Sequence, residues 1–154
     1  MKRFRRILLV EDEENDRELT IHSLASAGLV NVVDAVRDGE EALSYLRRLN
    51  VHANRGHDQP LLVMLDLKMP KVDGIEVLRQ MRNDPELRLI PVVVLTSSKE
   101  DSDLRRCYEL GVNAYVVKPV DFNQFVSAVK QLGLFWAVLN EPPPADDESF
   151  DAAE

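Results

Sequence analysis

The sequence lacks several features that would assign it to common protein classes. Its single cysteine, Cys107, excludes an intramolecular disulfide and is typical of a protein from a reducing compartment. No apolar run approaches the roughly 20 residues that a membrane-spanning helix needs. The basic start leads into a short apolar run at 7–10 that ends in acid, unlike a signal peptide. We therefore expect a cytoplasmic protein with no membrane partner.

Positive charge is also scarce. The net charge is −8, and six of the 27 acids lie after residue 140, where there is no lysine or arginine. The rest of the chain is therefore close to charge balance. Nucleic-acid-binding proteins usually present a basic face, and the one basic cluster, at residues 2–6, is typical of a solvated chain end. Nucleic acid is not an expected partner.

The length of 154 residues is that of one domain. We find no internal repeat and no linker, and predict a single domain over residues 1–139 that ends in an extended helix. Residues 140–154 are acidic and contain three successive prolines. This segment is too polar to join a core and is predicted to be disordered.

Five short apolar runs alternate with segments of helical pattern. The runs lie at 7–10, 32–36, 61–65, 92–95 and 114–117, and the predicted helices at 15–28, 39–49, 74–83, 100–111 and 121–139. Three runs are apolar without alternation, which is typical of strands buried on both faces of a parallel sheet. Gly28 and Gly111 lie where helix C-caps are expected, and Asp121 where an N-cap is expected. The alternation predicts a doubly wound α/β fold.

Polar residues follow four of the predicted strands. Glu11 and Asp12 follow the first strand, Asp66 the third, Thr96 the fourth and Lys118 the fifth. Ligands of doubly wound sheets bind beyond the carboxyl ends of the strands. We therefore expect these five side chains to meet at one rim of the sheet.

The chemistry of that rim favours phosphoryl transfer. Three carboxylates repel one another unless a cation joins them, and Mg²⁺ prefers oxygen ligands and bridges carboxylates to phosphate. Asp66 can attack phosphorus to give an aspartyl phosphate, while Lys118 supplies a fixed cation and Thr96 a hydroxyl donor. Singly, each residue is as well explained by a turn, a cap or a solvated surface. Their common register with the strands is what favours the functional interpretation.

Four segments carry a family resemblance. LLVEDE, LLVMLDLKMPKVDG, VVVLTSS and AYVVKP resemble, in order, the signature segments of response-regulator receiver domains. The resemblance covers about residues 5–139 and implies a flavodoxin-like (βα)5 fold with a five-stranded parallel sheet of order 2-1-3-4-5. It also implies that Asp66 is the phosphoacceptor and that Glu11 and Asp12 bind the metal. The backbone carbonyl of Lys68 is implied as a further metal ligand.

The same resemblance implies a signalling switch. Thr96 matches the switch hydroxyl and Tyr115 the switch aromatic, which is expected to turn inward as phosphorylation draws Thr96 away. Lys118 matches the family lysine, with an implied cis peptide to Pro119. The implied partner is a sensor histidine kinase, and catalysis is limited to the chain's own phosphorylation and dephosphorylation. Output would pass to a target protein or a further phosphotransfer protein.

A narrower resemblance concerns the loop before Asp66 and the chain end. EALSYLRRLNVHANRGHDQP, NDPELRLIPVVVLTSS and LGLFWAVL resemble the stand-alone regulators of bacterial and cyanobacterial phytochrome kinases. A phytochrome-type kinase and a homodimer through the final helix are implied. Independently, the run at 134–139 is apolar all round, which one sheet face cannot bury. The predicted dimer interface includes Phe122, Phe135, Trp136 and Leu139.

Several alternatives stay open at this stage. A haloacid-dehalogenase-type hydrolase also uses a strand-end Asp, but Lys68 stands where its second acid is needed. A pseudo-receiver would keep the fold with a vestigial site, and a flavodoxin would need a Gly-rich phosphate loop after the first strand. The ammonium of Lys68 could reach Glu11, a phosphoryl group or solvent. His52 and His57 in the long loop lack metal-site spacing, and His22 lies in the first predicted helix.

Overall fold

The computed structural model of the chain describes residues 6–29, 33–48 and 59–144. His52, His57, residues 2–5 of the basic cluster and the last ten residues, for which predictions were made, lie outside these ranges. The strands are β1 (Ile7–Val10), β2 (Val33–Val36), β3 (Leu62–Leu65), β4 (Val92–Thr96) and β5 (Ala114–Val117). The helices are α1 (Glu14–Ser26), α2 (Gly39–Leu46), α3 (Gly74–Asn83), α4 (Asp101–Glu109) and α5 (Phe122–Leu134), and a π-helical turn (Phe135–Leu139) continues α5.

The five strands form one parallel sheet in the order β2-β1-β3-β4-β5. Strands β1, β3 and β4 are buried along their whole length, whereas β5 at one edge is partly exposed. This burial follows from helices that cover both faces of the sheet, as parallel strands joined by helical crossovers require. The predicted fold class and strand order are confirmed.

The helices end close to the residues that the sequence indicates. Gly28 and Gly111 follow the C-caps of α1 and α4 with φ of +81° and +73°. This left-handed conformation is open to glycine at little steric cost. Asp121 caps α5, since its carboxylate accepts a hydrogen bond of 2.9 Å from the backbone N–H of Gln124. All three capping predictions are confirmed.

Two hydrophobic cores lie on opposite faces of the sheet. In β1, Leu8 and Val10 face the core beneath α2, α3 and α4, and Ile7 and Leu9 face the core beneath α1 and α5. Successive strand residues point to opposite faces, so one apolar strand supplies both cores. Cys107 is free and buried in the first of these cores, as expected of a structural cysteine.

The end of the last helix divides its apolar residues between two environments. The N–H of Asn140 donates to the carbonyl of Phe135 at 2.7 Å, an i→i+5 bond that widens the final turn. Trp136 packs against the core beneath α1 and α5. Phe135 and Leu139 remain 47% and 75% exposed. Within the described ranges, none of the helices is long and apolar enough to span a membrane.

Candidate functional site

Three carboxylates meet at the carboxyl rim of the sheet. Val10 of β1 pairs with Leu65 of β3, so the residues that follow them emerge side by side. Oxygens of Glu11, Asp12 and Asp66 lie within 4.8 Å of one another. The predicted convergence of these acids is therefore found, and it depends on strand register.

Lys118 is the internal cation of this cluster. Its ammonium pairs with Glu11, with Asp66 at 3.3 Å and with Asp16 at 2.9 Å. Burial lowers the pKa of Lys118, but the bonds to Glu11 and Asp16 outweigh it and raise the pKa overall. Its backbone N–H donates to the carbonyl of Thr96 at 2.7 Å, which fixes the start of the side chain beside β4.

A single lysine does not satisfy three carboxylates. Burial raises the pKa of Glu11, and the neighbouring Asp66 raises it further, while Lys118 opposes both effects. The cluster therefore favours a bound proton or a second cation. Oxygen donors from Glu11, Asp12 and Asp66 fit a hard divalent cation such as Mg²⁺.

The backbone around Asp66 is held tightly. One Asp66 carboxylate oxygen accepts the N–H of Leu67 at 2.7 Å. Gly74, the first residue of α3, lies so close that an added Cβ would be 2.2 Å from the carbonyl oxygen of Asp66. The absence of a side chain at Gly74 lets the start of α3 pack directly beneath the acidic loop.

Lys68 forms its ion pair with a residue outside the carboxylate cluster. Its ammonium lies 3.4 Å from Asp103 in α4, and Asp103 raises the pKa of Lys68. Of the open possibilities, contact with Glu11 is not the arrangement that the structure adopts, because Lys118 occupies that position. The role of the Lys68 backbone carbonyl as a metal ligand stays a prediction.

Thr96 and Tyr115 both contact the loop between β4 and α4. Thr96 is the buried last residue of β4, rather than the residue after it, and its hydroxyl oxygen accepts the N–H of Ser98 at 3.3 Å. The hydroxyl of Tyr115 donates to the carbonyl of Ser98 at 3.0 Å. The aromatic side chain is thus half-buried and directed at the loop. The turn of Tyr115 on phosphorylation stays a prediction.

One expectation drawn from the resemblance is wrong for this structure. The peptide between Lys118 and Pro119 is trans, as are the other peptide bonds in the described ranges. The trans form is the more stable isomer of an X–Pro bond by about 0.5–1 kcal/mol. The Lys118 ammonium still reaches Glu11 and Asp66 from this backbone.

Three residues of the site were missed by sequence reasoning. Asp16 lies in the first turn of α1, and its carboxylate binds Lys118. Ser98 and Asp103 are joined by a 2.6 Å hydrogen bond in which the serine hydroxyl donates. Asp16 lies close in sequence to the acidic pair that follows β1, and this position at the start of α1 would have placed it near the cluster. The sequence offers no comparable signal for Ser98 or Asp103.

Known proteins resemble this chain closely. The family described as response regulator receiver domain matches residues 7–130. The response regulator Rcp1 of Synechocystis sp. is 37% identical over 130 residues, which cover 84% of this chain and 87% of Rcp1. The structure of the Mn²⁺-bound form of Rcp1 has a TM-score of 0.84 at 35% identity, over 91% of this chain and 99% of the other.

Two further solved structures belong to phytochrome regulators. The phosphorylated cyanobacterial phytochrome response regulator RcpA has a TM-score of 0.86 at 39% identity, over 92% of this chain and 100% of the other. The bacteriophytochrome response regulator RtBRR is 54% identical, with a TM-score of 0.74, over 99% of this chain and 92% of RtBRR. The carboxylate rim, the buried lysine and these similarities lead to one conclusion: the chain belongs to the response regulator receiver domain family.

Proposed function

We propose that Asp66 accepts a phosphoryl group from a sensor histidine kinase in a reaction that requires Mg²⁺. The observation that carries the proposal is the position of its carboxylate. Asp66 is buried at the rim, beside the oxygens of Glu11 and Asp12 and 3.3 Å from the Lys118 ammonium. A nucleophile in this position faces positive charge on the side where the phosphoryl oxygens would lie.

The transfer is a substitution at phosphorus. A carboxylate oxygen of Asp66 forms the new P–O bond, the P–N bond to the kinase histidine breaks, and its electron pair leaves with the imidazole. Lys118 neutralises a phosphoryl oxygen, and the Thr96 hydroxyl turns from the Ser98 loop to donate to another. The divalent cation, when bound, offsets the repulsion between Asp66 and the incoming phosphoryl group. The Mn²⁺-bound form of Rcp1 supports a cation at this rim.

The reaction is confined to the chain's own aspartate. A haloacid-dehalogenase-type hydrolase needs an acid two residues after the nucleophile, where Lys68 stands paired with Asp103. A pseudo-receiver is disfavoured because Glu11, Asp12, Asp66 and Lys118 converge. We therefore assign the chain a switch function in which it does not turn over an external substrate.

We propose a phytochrome-type kinase as the partner, because the similarity to RcpA and RtBRR extends over nearly the whole of each protein. The receiver domain spans residues 1–139, acts in the cytoplasm and passes the signal to a target or phosphotransfer protein. Phosphorylation changes the surface around Ser98, since Thr96 and Tyr115 both hold that residue.

We also propose that the chain forms a homodimer through the end of its last helix. Phe122, Phe135 and Leu139 of the predicted interface are exposed, at 61%, 47% and 75%. Exposed apolar groups of this size on a soluble domain often mark an interface. Trp136 contributes to the protomer's own core as well, and its ring packs edge-on against Phe135 with centroids 5.1 Å apart.

Incubation with acetyl phosphate and Mg²⁺, followed by mass spectrometry, tests the phosphoacceptor role. The wild type should gain one phosphoryl group, Asp66→Asn should gain none, and Asp12→Asn should react slowly with a higher Mg²⁺ requirement. Asp101→Asn, an exposed acid in α4, is the matched control and should behave as the wild type. Labelling of Asp66→Asn at the wild-type rate would refute the assignment, and continuous release of phosphate would favour the hydrolase.

A further inference from the structure

A chain of polar contacts runs from the loop after Asp66 to α4 and β5. The Lys68 ammonium lies 3.4 Å from Asp103, and Asp103 accepts the hydroxyl of Ser98 at 2.6 Å. The carbonyl of Ser98 in turn accepts the hydroxyl of Tyr115 at 3.0 Å. These contacts therefore link Lys68 to Tyr115 through Asp103 and Ser98.

The two partners of the ion pair differ in their exposure to solvent. The Asp103 side chain is 10% exposed and is fixed by Ser98, whereas the Lys68 side chain is 62% exposed. Ser98 and then Lys68 keep the pKa of Asp103 low, so its carboxylate is charged at neutral pH. The exposed ammonium of Lys68, two residues after the phosphoacceptor, is thus paired with a nearly buried carboxylate.

A phosphoryl group on Asp66 would be a second anion that competes with Asp103 for the ammonium of Lys68. A phosphoryl group carries about two negative charges and strong acceptor oxygens. Lys118 is already shared among Glu11, Asp16 and Asp66. Lys68 lies two residues after Asp66 in the sequence, and among the described residues its ammonium forms an ion pair with Asp103 alone.

We propose that Lys68 is shared between Asp103 and a phosphoryl group on Asp66, so that Asp103 acts as a positioning residue that weakens the site's hold on the phosphoryl group. This inference rests on the proposed phosphoacceptor role. Reciprocity follows from linkage: a phosphoryl group that attracts Lys68 weakens the ion pair with Asp103 by the same factor. The weakened ion pair would affect Ser98, whose hydroxyl donates to Asp103, and through Ser98 the hydroxyl of Tyr115.

A double-mutant cycle on the affinity for beryllofluoride, measured by calorimetry with Mg²⁺ present, tests the proposal. Asp103→Asn removes the charge but keeps an oxygen that can accept the Ser98 hydroxyl, and Lys68→Met removes the ammonium but keeps the apolar stem. Exposed ion pairs contribute little, so we expect Asp103→Asn to tighten binding about threefold and Lys68→Met to weaken it about threefold. In the Lys68→Met background, Asp103→Asn should have almost no effect.

The cycle separates this inference from simpler explanations. If Asp103→Asn tightens binding equally in both backgrounds, its charge acts at long range and the proposal is overturned. Asp101→Asn, which changes the same kind of charge in the first turn of α4, should leave affinity within experimental error. A wild-type protein that does not bind beryllofluoride would instead refute the phosphoacceptor role.

A second measurement needs no variant and so does not depend on the folding of one. Carbon-detected NMR of the wild type follows the carboxyl group of Asp103 and the side chain of Lys68 during titration with beryllofluoride. Both sets of signals should shift together as the ammonium leaves Asp103. Signals of Asp103 that stay unchanged at saturation would overturn the proposal.

Discussion

Lys118 is the residue on which the charge balance of the rim depends. Its buried ammonium faces Glu11, Asp16 and Asp66, so Lys118→Ala leaves three acids without an internal cation. Removing one partner of a buried pair typically costs about 3 kcal/mol, and we expect a loss of that order in the free energy of unfolding without metal. Mg²⁺ should stabilise this variant more than the wild type, because a divalent cation can replace the lost charge.

Urea unfolding with and without Mg²⁺ measures both effects. Lys99→Ala, an exposed lysine in the β4–α4 loop, is the control and should change stability by less than about 0.5 kcal/mol. A Lys118→Ala protein that gains no more from Mg²⁺ than the wild type would contradict the idea that lysine and metal serve the same carboxylates.

Glu11 makes the metal-free protein sensitive to pH. Its pKa in the folded chain lies above the ordinary value of 4.5, first through burial and then through Asp66. The folded state therefore binds this proton more strongly than the unfolded state. The resulting stability is complete below 4.5 and is lost as the pH rises through the folded pKa. We expect the metal-free protein to melt at a lower temperature at about pH 8 than at about pH 5.

Thermal melts across this range provide the measurement. Mg²⁺ should reduce the difference, since the cation takes the place of the proton among the carboxylates. Glu11→Gln should flatten the metal-free profile, and an unchanged slope in that variant would show that other groups control the pH dependence.

At the scale of the element, the start of α3 fixes the geometry of the acidic loop. A Cβ on Gly74 would meet the carbonyl of Asp66 at 2.2 Å and the Cα of Leu67 at 2.7 Å, and these are backbone atoms that cannot rotate away. We expect Gly74→Ala to cost about 1–3 kcal/mol of stability and to weaken beryllofluoride binding as well, because Asp66 must shift.

Gly28→Ala is the matched comparison. Gly28 has φ of +81° with nothing within 4 Å of an added Cβ, so this change costs about 1–2 kcal/mol through backbone strain alone. Its beryllofluoride affinity should stay that of the wild type. Equal affinities in the two variants would indicate that α3 does not position Asp66.

The elements also show what sequence can and cannot predict. Apolar runs and caps are local signals, and they placed β1, β3 and β5 within a residue of their positions. The end of α2 was predicted at residue 49, yet the helix ends at Leu46, because Arg48 adopts a left-handed φ of 55°. A glycine at that position would have indicated the end of the helix, but the residue is arginine. The contacts of Lys68 and Tyr115 were also beyond local reasoning, since they depend on side-chain directions across the β4–α4 loop.

At the scale of the whole molecule, the sheet places the acidic site at one rim and the last helix on one face. The rim gathers the acids and Lys118, while α5 crosses the other face and packs against α1. Gly133 permits this close approach, since an added Cβ would lie 2.5 Å from Leu24 and 2.9 Å from Leu29. The π-helical turn that follows turns some apolar side chains toward the core and leaves others in solvent.

That division makes the homodimer testable with three variants. Phe135→Asp and Leu139→Asp place a charge at exposed positions, whereas Trp136→Asp places one against the protomer's core. A standard interface buries about 800 Å² per partner, and one buried charge disrupts it. In sedimentation at micromolar concentration, the wild type should be a dimer, and Phe135→Asp and Leu139→Asp should be folded monomers. Trp136→Asp should also lose stability in urea. A monomeric wild type would refute the dimer, and unfolding of all three variants would assign this end to the protomer's own core.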